Sequence, residues 1–366
     1  MNSQNSQIIP IEGIIKNYPW GSYSALARHQ GKDASVEPEA ELWFGDHPQG
    51  PAKIIDSIDT LEQVTQRFGS LPFLAKILAV EHSLSLQVHP ALTDIPSLAA
   101  VRKDENHKPE MVIALTRFEA LVGFASSEAT LELLRQLNSP HVDRLLTEPI
   151  GRGATHRELL ESILGVEDHD GILDSLLEGL GNIDHTRAKW LRELVELYAP
   201  KLDPLATLLC DLIILEPGEC IYLPPRCVHA YLNGVVVEIM ANSDNVIRGG
   251  LTHKAIDKGN FLALIDLATE SAQRIEPNSA PGVRRWNPPI SDFSIREFHG
   301  TEIEQEFDVV DHSIAFAWHG HASITPSDDS LSELVAIGQR NGALLPPGSY
   351  HISGHGSLWV ATGKGR

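Results

Sequence analysis

A mainly β protein interrupted by one helical insertion is the fold class the sequence predicts, on three observations. Between Ile8 and about Phe124, short apolar runs are separated by Pro and Gly. From Ser126 to about Leu208, apolar residues recur at helical spacing instead. From Leu212 onward the short-run texture returns. Many short strands joined by Gly and Pro turns favour a barrel or jelly roll.

The elements follow in order. The runs Phe73 to Val80, Leu84 to Val88 and Met111 to Leu115 are too short for ordinary helices and read as strands. Thr60 to Phe68 and Ser97 to Arg102 are expected as short helices. The helical stretch carries three apolar stripes: Leu131, Leu134 and Leu137; Leu159, Leu160, Ile163 and Leu164; Leu191, Leu194, Val195 and Tyr198. Thr155 and Glu158 have capping-box spacing before the second stripe. After Leu212, Glu216-Pro217-Gly218-Glu219 reads as a turn and Ile221-Tyr222-Leu223 as a strand. Asn233-Gly234 sits between two apolar segments and predicts a type I′ hairpin, with His229 on one strand and Glu238 on the other. Ser313 to Trp318 and Leu344 to Ile352 are strands of a final β region.

The formal net charge of −20 argues against a nucleic-acid partner, which needs a basic surface. It leaves room for a small anionic substrate bound by a local basic pocket. Three cysteines, Cys210, Cys220 and Cys227, suit a reducing compartment and buried packing rather than a disulfide framework. The polar start, MNSQNSQIIPIEG, lacks the basic and apolar regions of a signal peptide. No apolar run approaches the ~20 residues of a membrane span, so a cytoplasmic protein is expected.

Three segments concentrate polar residues among apolar ones. In Ser83 to Pro90, strand alternation puts Ser85, Gln87 and His89 on one face and Leu86 and Val88 on the other. Such a row suits a lined cavity, and alone it equally suits a wetted strand face. In Asp104 to Glu110, Lys108 and Glu110 share a face ahead of an apolar strand. The third segment runs from His229 to Thr252. Its Asn242-Ser243-Asp244-Asn245 and Arg248-Gly249-Gly250 deliver a carboxylate and a guanidinium in a small-residue setting. Together the segments offer an amide oxygen, two imidazoles and a carboxylate, from Gln87, His89, His229 and Glu110. Those donors suit Zn²⁺ or a similar divalent ion.

At this point the chain resembles the type I mannose-6-phosphate isomerase family. The matching pieces are Tyr18 to Ser22, Glu41 to Gly45, Leu84 to Pro90, His107 to Met111, Tyr222 to Pro224, His229 to Tyr231 and Asn242 to Thr252. They stand in the family's order and cover most of the first 260 residues outside the helical stretch. The resemblance implies a cupin-type jelly-roll catalytic domain over 1–125 plus 206–262, a helical insertion domain over 126–205, and a C-terminal cupin-like β domain over 263–366. It implies one Zn²⁺ per chain on Gln87, His89, Glu110 and His229. It also implies interconversion of mannose 6-phosphate and fructose 6-phosphate, feeding GDP-mannose synthesis, by a protein expected to be a monomer. The chain departs from the family at Ala91-Leu92, where an acidic-basic pair is common, and at His253, where Pro is common.

The family's active-site neighbours map onto Trp20, Ser85, Lys108, Glu238, Asp244, Arg248 and Lys254. Shifting a carbonyl between adjacent carbons needs a positioned base. Lys108, Asp244, Glu238 and His107 are the candidates for it. Arg248 is always charged and is better cast as an electrostatic stabiliser or a phosphate clamp. Trp20, Ser85 and Lys254 are expected to contact substrate, with Ser85 and Lys254 at the phosphate. A non-catalytic sugar-binding cupin is the alternative. A cupin dioxygenase is disfavoured by Gln87, because such iron sites use His and carboxylate ligands.

Overall fold

A computed structural model describes residues 7–165, 171–268, 272–327 and 334–363. The extreme polar N-terminus, residues 1–6, lies outside the described residues. The first β region is built around one long strand, His229–Ala241. Its C-terminal part pairs antiparallel with Phe73–Val80 on one side and Glu110–Ala114 on the other. Its N-terminal part pairs with Phe118–Phe124 and, at one position, with Leu86–Val88. The short strand Ile247–Gly250 then pairs with Leu86–Val88.

The expected hairpin at Asn233-Gly234 is therefore corrected: the strand runs through that dipeptide without turning. The positive φ that a turn would use appears there as an irregularity. Gly234 has φ +116°, and the pairing register with Phe118–Phe124 shifts between Tyr231 and Asn233. A Cβ at Gly234 would lie 2.5 Å from the Arg117 carbonyl oxygen. A glycine bulge lets a strand bend from one layer into the next, because it tolerates both the positive φ and the close approach. Each half of the strand then finds partners in a different layer, and no turn forms.

Strand alternation explains why the cavity has polar walls. On Phe73–Val80, residues Phe73, Ala75, Ile77 and Ala79 join a core shared with Trp286, Phe316 and Trp359 of the C-terminal region. The intervening Leu74, Lys76 and Leu78 face the cavity. On Leu86–Val88, Leu86 and Val88 are fully buried in the core formed with the helices, which leaves Gln87 facing the other way. The sequence-predicted split of that strand holds.

The helical region packs on the back of this strand. Leu134, Leu137, Leu159, Leu160, Ile163, Leu191 and Leu194 share one buried cluster with Leu86 and Val88. Helix starts follow from their caps. Ser126 Oγ accepts from Ala129 N at 3.1 Å ahead of Ser127–Leu137. Thr155 and Glu158 exchange the expected reciprocal bonds ahead of His156–Gly165. Asp184 caps His185–Tyr198. The stretch Thr60 to Phe68 forms a helix only over Leu61–Thr65, and the second expected helix is a 3-10 turn at Ile95–Leu98.

The C-terminal sheet is dominated by Ser294–Val309, Ser313–Pro326 and Gly348–Thr362, which pair antiparallel. The N-terminal strand Ile9–Glu12 joins this sheet through Asn341–Leu345 rather than the catalytic one. The units therefore interlock: residues 9–12 fall within the 1–125 expected for the catalytic domain, yet they close the C-terminal sheet. Cys210, Cys220 and Cys227 are all buried, as expected of small apolar fillers. Among the described residues, no helix is long and apolar enough to cross a membrane.

Candidate active site

Register places three site residues side by side. Gln87 pairs with His229 on one neighbouring strand and with Arg248 on the other. Glu110 opens the strand Glu110–Ala114, and its carboxylate is buried at the centre of the group. His89 Nε2 lies 3.1 Å from Glu110 Oε1, and His229 Nε2 lies 3.6 Å from Glu110 Oε2. One ligand atom from each of His89, Glu110 and His229 lies within 4.8 Å of the others.

The outer ring nitrogens decide what the inner ones present. His89 Nδ1 donates to the Asn245 carbonyl oxygen at 2.8 Å, and His229 Nδ1 donates to the Cys227 carbonyl oxygen at 3.0 Å. A carbonyl only accepts, so both Nδ1 atoms carry the proton and both Nε2 atoms carry a bare lone pair. His89 Nε2 is buried with no hydrogen-bond partner. Two bare imidazole nitrogens thus converge on a carboxylate, an arrangement that repels itself and that a shared cation relieves. Burial, then the Lys108 ammonium, pushes the His89 pKa down to about 4, so the ring is neutral and ready to ligate. Burial would raise the Glu110 carboxyl, but the Lys108 ammonium holds it well below the ordinary carboxylate range.

Gln87 completes the group. Its Nε2 lies 3.2 Å from His229 Nε2, while Ser85 Oγ donates to Gln87 Oε1 at 3.1 Å. A half-turn of the amide exchanges the two ends and offers oxygen to the cation position, with the serine then accepting. Tyr231 donates to Glu110 Oε2 at 2.9 Å, and Lys108 Nζ lies 3.0 Å from Glu110 Oε1. Residues with the donor set of a divalent-cation site are therefore braced from behind.

Gln87, Lys108 and Glu110 line a cavity of about 600 Å³. Trp20, Ser85, Glu238, Asp244, Arg248 and Lys254 line it too, so the structure brings these expected site residues together. Among the described residues, the Arg248 guanidinium has no ion-pair or hydrogen-bond partner, and it is half buried, which lowers its pKa. Lys254 Nζ stands 5.8 Å from the Tyr18 ring centroid at the cavity rim. Tyr18 stacks on Trp20 with ring centroids 5.8 Å apart.

His107 departs from expectation. Its Nε2 bonds Asp292 Oδ1 at 2.8 Å, and the residue does not line the cavity. His107 lies ahead of the strand that begins at Glu110, and its ring reaches Asp292 of the C-terminal region while Lys108 lines the cavity.

Sequence reasoning missed a polar floor. Lys76 Nζ lies 2.9 Å from Glu238 Oε2 and 3.9 Å from Glu41 Oε2. Trp43 Nε1 donates to Glu41. The available signal was a lysine within the apolar run Phe73 to Val80, and the alternation of Glu41 and Trp43 with Leu42 and Phe44. His47 and Gln49 were missed as well. They hold Asp244, at 3.3 Å from Oδ1 and 2.6 Å from Oδ2 respectively. Burial would raise the Asp244 carboxyl, and the His47 contact more than offsets it, so the group stays ionised.

Known proteins share both the sequence and this architecture. A family profile described as phosphomannose isomerase type I, catalytic domain, matches residues 8–127. The mannose-6-phosphate isomerase of Salmonella typhimurium (strain LT2) is 31% identical, covering 96% of this chain and 96% of that protein. The chain belongs to the mannose-6-phosphate isomerase family. The Escherichia coli (strain K12) mannose-6-phosphate isomerase is 30% identical across 94% of this chain and 96% of its own length. A crystal structure of mannose 6-phosphate isomerase bound with zinc and yttrium superposes with a TM-score of 0.86 at 28% identity, covering 98% of this chain and 100% of that one. The expected enzyme class and cupin-type fold therefore stand, and mannose-6-phosphate isomerase membership extends over nearly the whole chain.

Proposed function

We propose that the protein interconverts mannose 6-phosphate and fructose 6-phosphate, with one zinc ion per chain held by Gln87, His89, Glu110 and His229. One observation carries this reading: two bare imidazole nitrogens converge on the buried Glu110 carboxylate at the wall of a cavity that also holds an unpaired guanidinium. A zinc-bound mannose 6-phosphate isomerase with the same architecture supports it. When bound, zinc supplies a Lewis acid for negative charge developing on the sugar oxygens.

The chain's own groups do the rest. Moving the carbonyl between C1 and C2 takes a proton from one carbon and returns it to its neighbour through a cis-enediol. Lys108, Asp244 and Glu238 face the cavity and are placed to exchange that proton. Burial pushes the Glu238 pKa up in spite of Lys76, which suits a group that shares a proton. His107 is bound to Asp292 and stays outside this set. Arg248 keeps its charge and faces the cavity, where it stabilises the charge that develops on the enediol oxygens. Lys254 at the rim is the proposed phosphate contact. Ser85 braces Gln87 as well as lining the cavity.

A coupled assay for fructose 6-phosphate, with zinc-loaded and chelated protein, tests the reading. Turnover that chelation abolishes and zinc restores is expected. Zinc binding with no turnover would instead establish a non-catalytic sugar-binding cupin. Turnover in D₂O is expected to place some deuterium at C1 of the ketose or C2 of the aldose. Full retention of the substrate hydrogen would replace the enediol with a hydride shift.

A further inference from the structure

The C-terminal region holds a cavity of its own, about 700 Å³ in volume. Two arginines stand in its wall on paired strands: Arg285 lies directly opposite Arg296. Arg296 in turn lies opposite Val360, and Val360 belongs to the C-terminal core together with Phe298 and Phe307. Arg296 therefore looks inward, over the ring of Phe307, with its guanidinium 5.4 Å from the ring centroid.

These two guanidiniums differ from their neighbour. Arg284 points to the other face of the sheet and is ion-paired with Glu297 at 2.6 Å. Among the described residues, neither Arg285 nor Arg296 has a carboxylate within ion-pair distance. Among the described residues, the hydrogen bond of the Arg296 guanidinium runs from Nη2 to the Asp308 carbonyl oxygen, at 2.9 Å. Glu306 and Asp308 border the same cavity, with both residues exposed to solvent. Burial, and then Arg285, lowers the Arg296 pKa to about 10, so the group remains charged at neutral pH.

Like charges placed directly opposite on paired strands repel. A half-buried guanidinium with no carboxylate at ion-pair distance, and only the more distant Asp308 opposing, adds a desolvation cost. Both penalties vanish if an anion sits between the two forks. The planar donors of arginine match the oxygens of a phosphate in bidentate fashion. Asn287 and Ser294 line the same cavity and offer neutral donors there.

We propose that this cavity is a second anion site, separate from the catalytic cavity, that takes the phosphate group of a small phosphorylated metabolite between Arg285 and Arg296. Equilibrium dialysis of the full chain against radiolabelled inorganic phosphate tests it. The Arg285→Gln/Arg296→Gln variant is expected to bind one phosphate fewer per chain than the wild type. Equal counts overturn the proposal. If the double variant does not fold, Arg285→Gln alone, at an exposed position, is expected to weaken the second phosphate about tenfold or more. Unchanged binding in that variant overturns the proposal equally.

Discussion

Lys76 and Glu238 are direct cross-strand partners whose Nζ and Oε2 atoms meet 2.9 Å apart in the cavity floor. Both side chains are almost wholly buried. Burial alone would lower the lysine pKa, but Glu238 and then Glu41 raise it, so Lys76 stays charged. The pair gives the site a fixed charge pattern at the cost of desolvating two ions.

Removing one partner should therefore hurt more than removing both. Lys76→Met is expected to destabilise the fold by about 3–5 kcal/mol, because Glu238 is left buried without its counter-charge. Lys76→Met/Glu238→Leu is expected to recover much of that loss. Chemical denaturation of both variants checks this. A double variant as unstable as the single one would contradict it.

Zinc retention should depend on the imidazoles. His229→Ala is expected to fold, since its neighbours Ala230 and Val228 are packed in the helical-side core, and to lose stoichiometric zinc. Metal analysis after dialysis, alongside circular dichroism, is the measurement. Full occupancy in the folded variant would remove His229 from the ligand set.

Arg248→Ala is expected to fold normally, because among the described residues the guanidinium has no protein partner to lose. Its turnover is expected to fall by about 10²–10³-fold, the usual effect of deleting one charge-stabilising contact. Near-normal kcat would exclude Arg248 from the chemistry.

The bend at Gly234 can be tested without touching the site. Gly234→Ala is expected to cost about 1–3 kcal/mol, since a side chain at positive φ is strained and its Cβ would meet the Arg117 carbonyl at 2.5 Å. Thermal unfolding at fixed zinc concentration reads the loss. An unchanged midpoint would mean that the strand bends without help from the glycine.

Much of the candidate site was legible because the proposed ligands come from short, dense segments. Ser85, Gln87 and His89 alternate with Leu86 and Val88, and that pattern by itself predicts a polar face backed by an apolar one. The capping-box spacing of Thr155 and Glu158 and the leucine stripes likewise predict the helical insertion, since they depend on neighbours within a turn or two. His107 was not legible in the same way: it sits beside the cavity-lining Lys108, but its partner Asp292 is far away in sequence. Asn233-Gly234 misled for a related reason: a positive φ suits a turn and a bulge alike, and only the strands on either side select between them.

Local residue types thus determined which side chains were available: two imidazoles, an amide, several carboxylates, and cations in an otherwise acidic chain. Tertiary structure decided which of them meet. The alignment of Arg248, Gln87 and His229 across three strands is a matter of register, as is the pairing of Lys76 with Glu238. Register is set by the outward faces of the strands: Leu86 and Val88 pack against the helices, Ala75 and Ile77 against the C-terminal core, and the alternate side chains of both strands turn to the cavity. That burial is a property of the packed whole, and no single segment of the chain contains it.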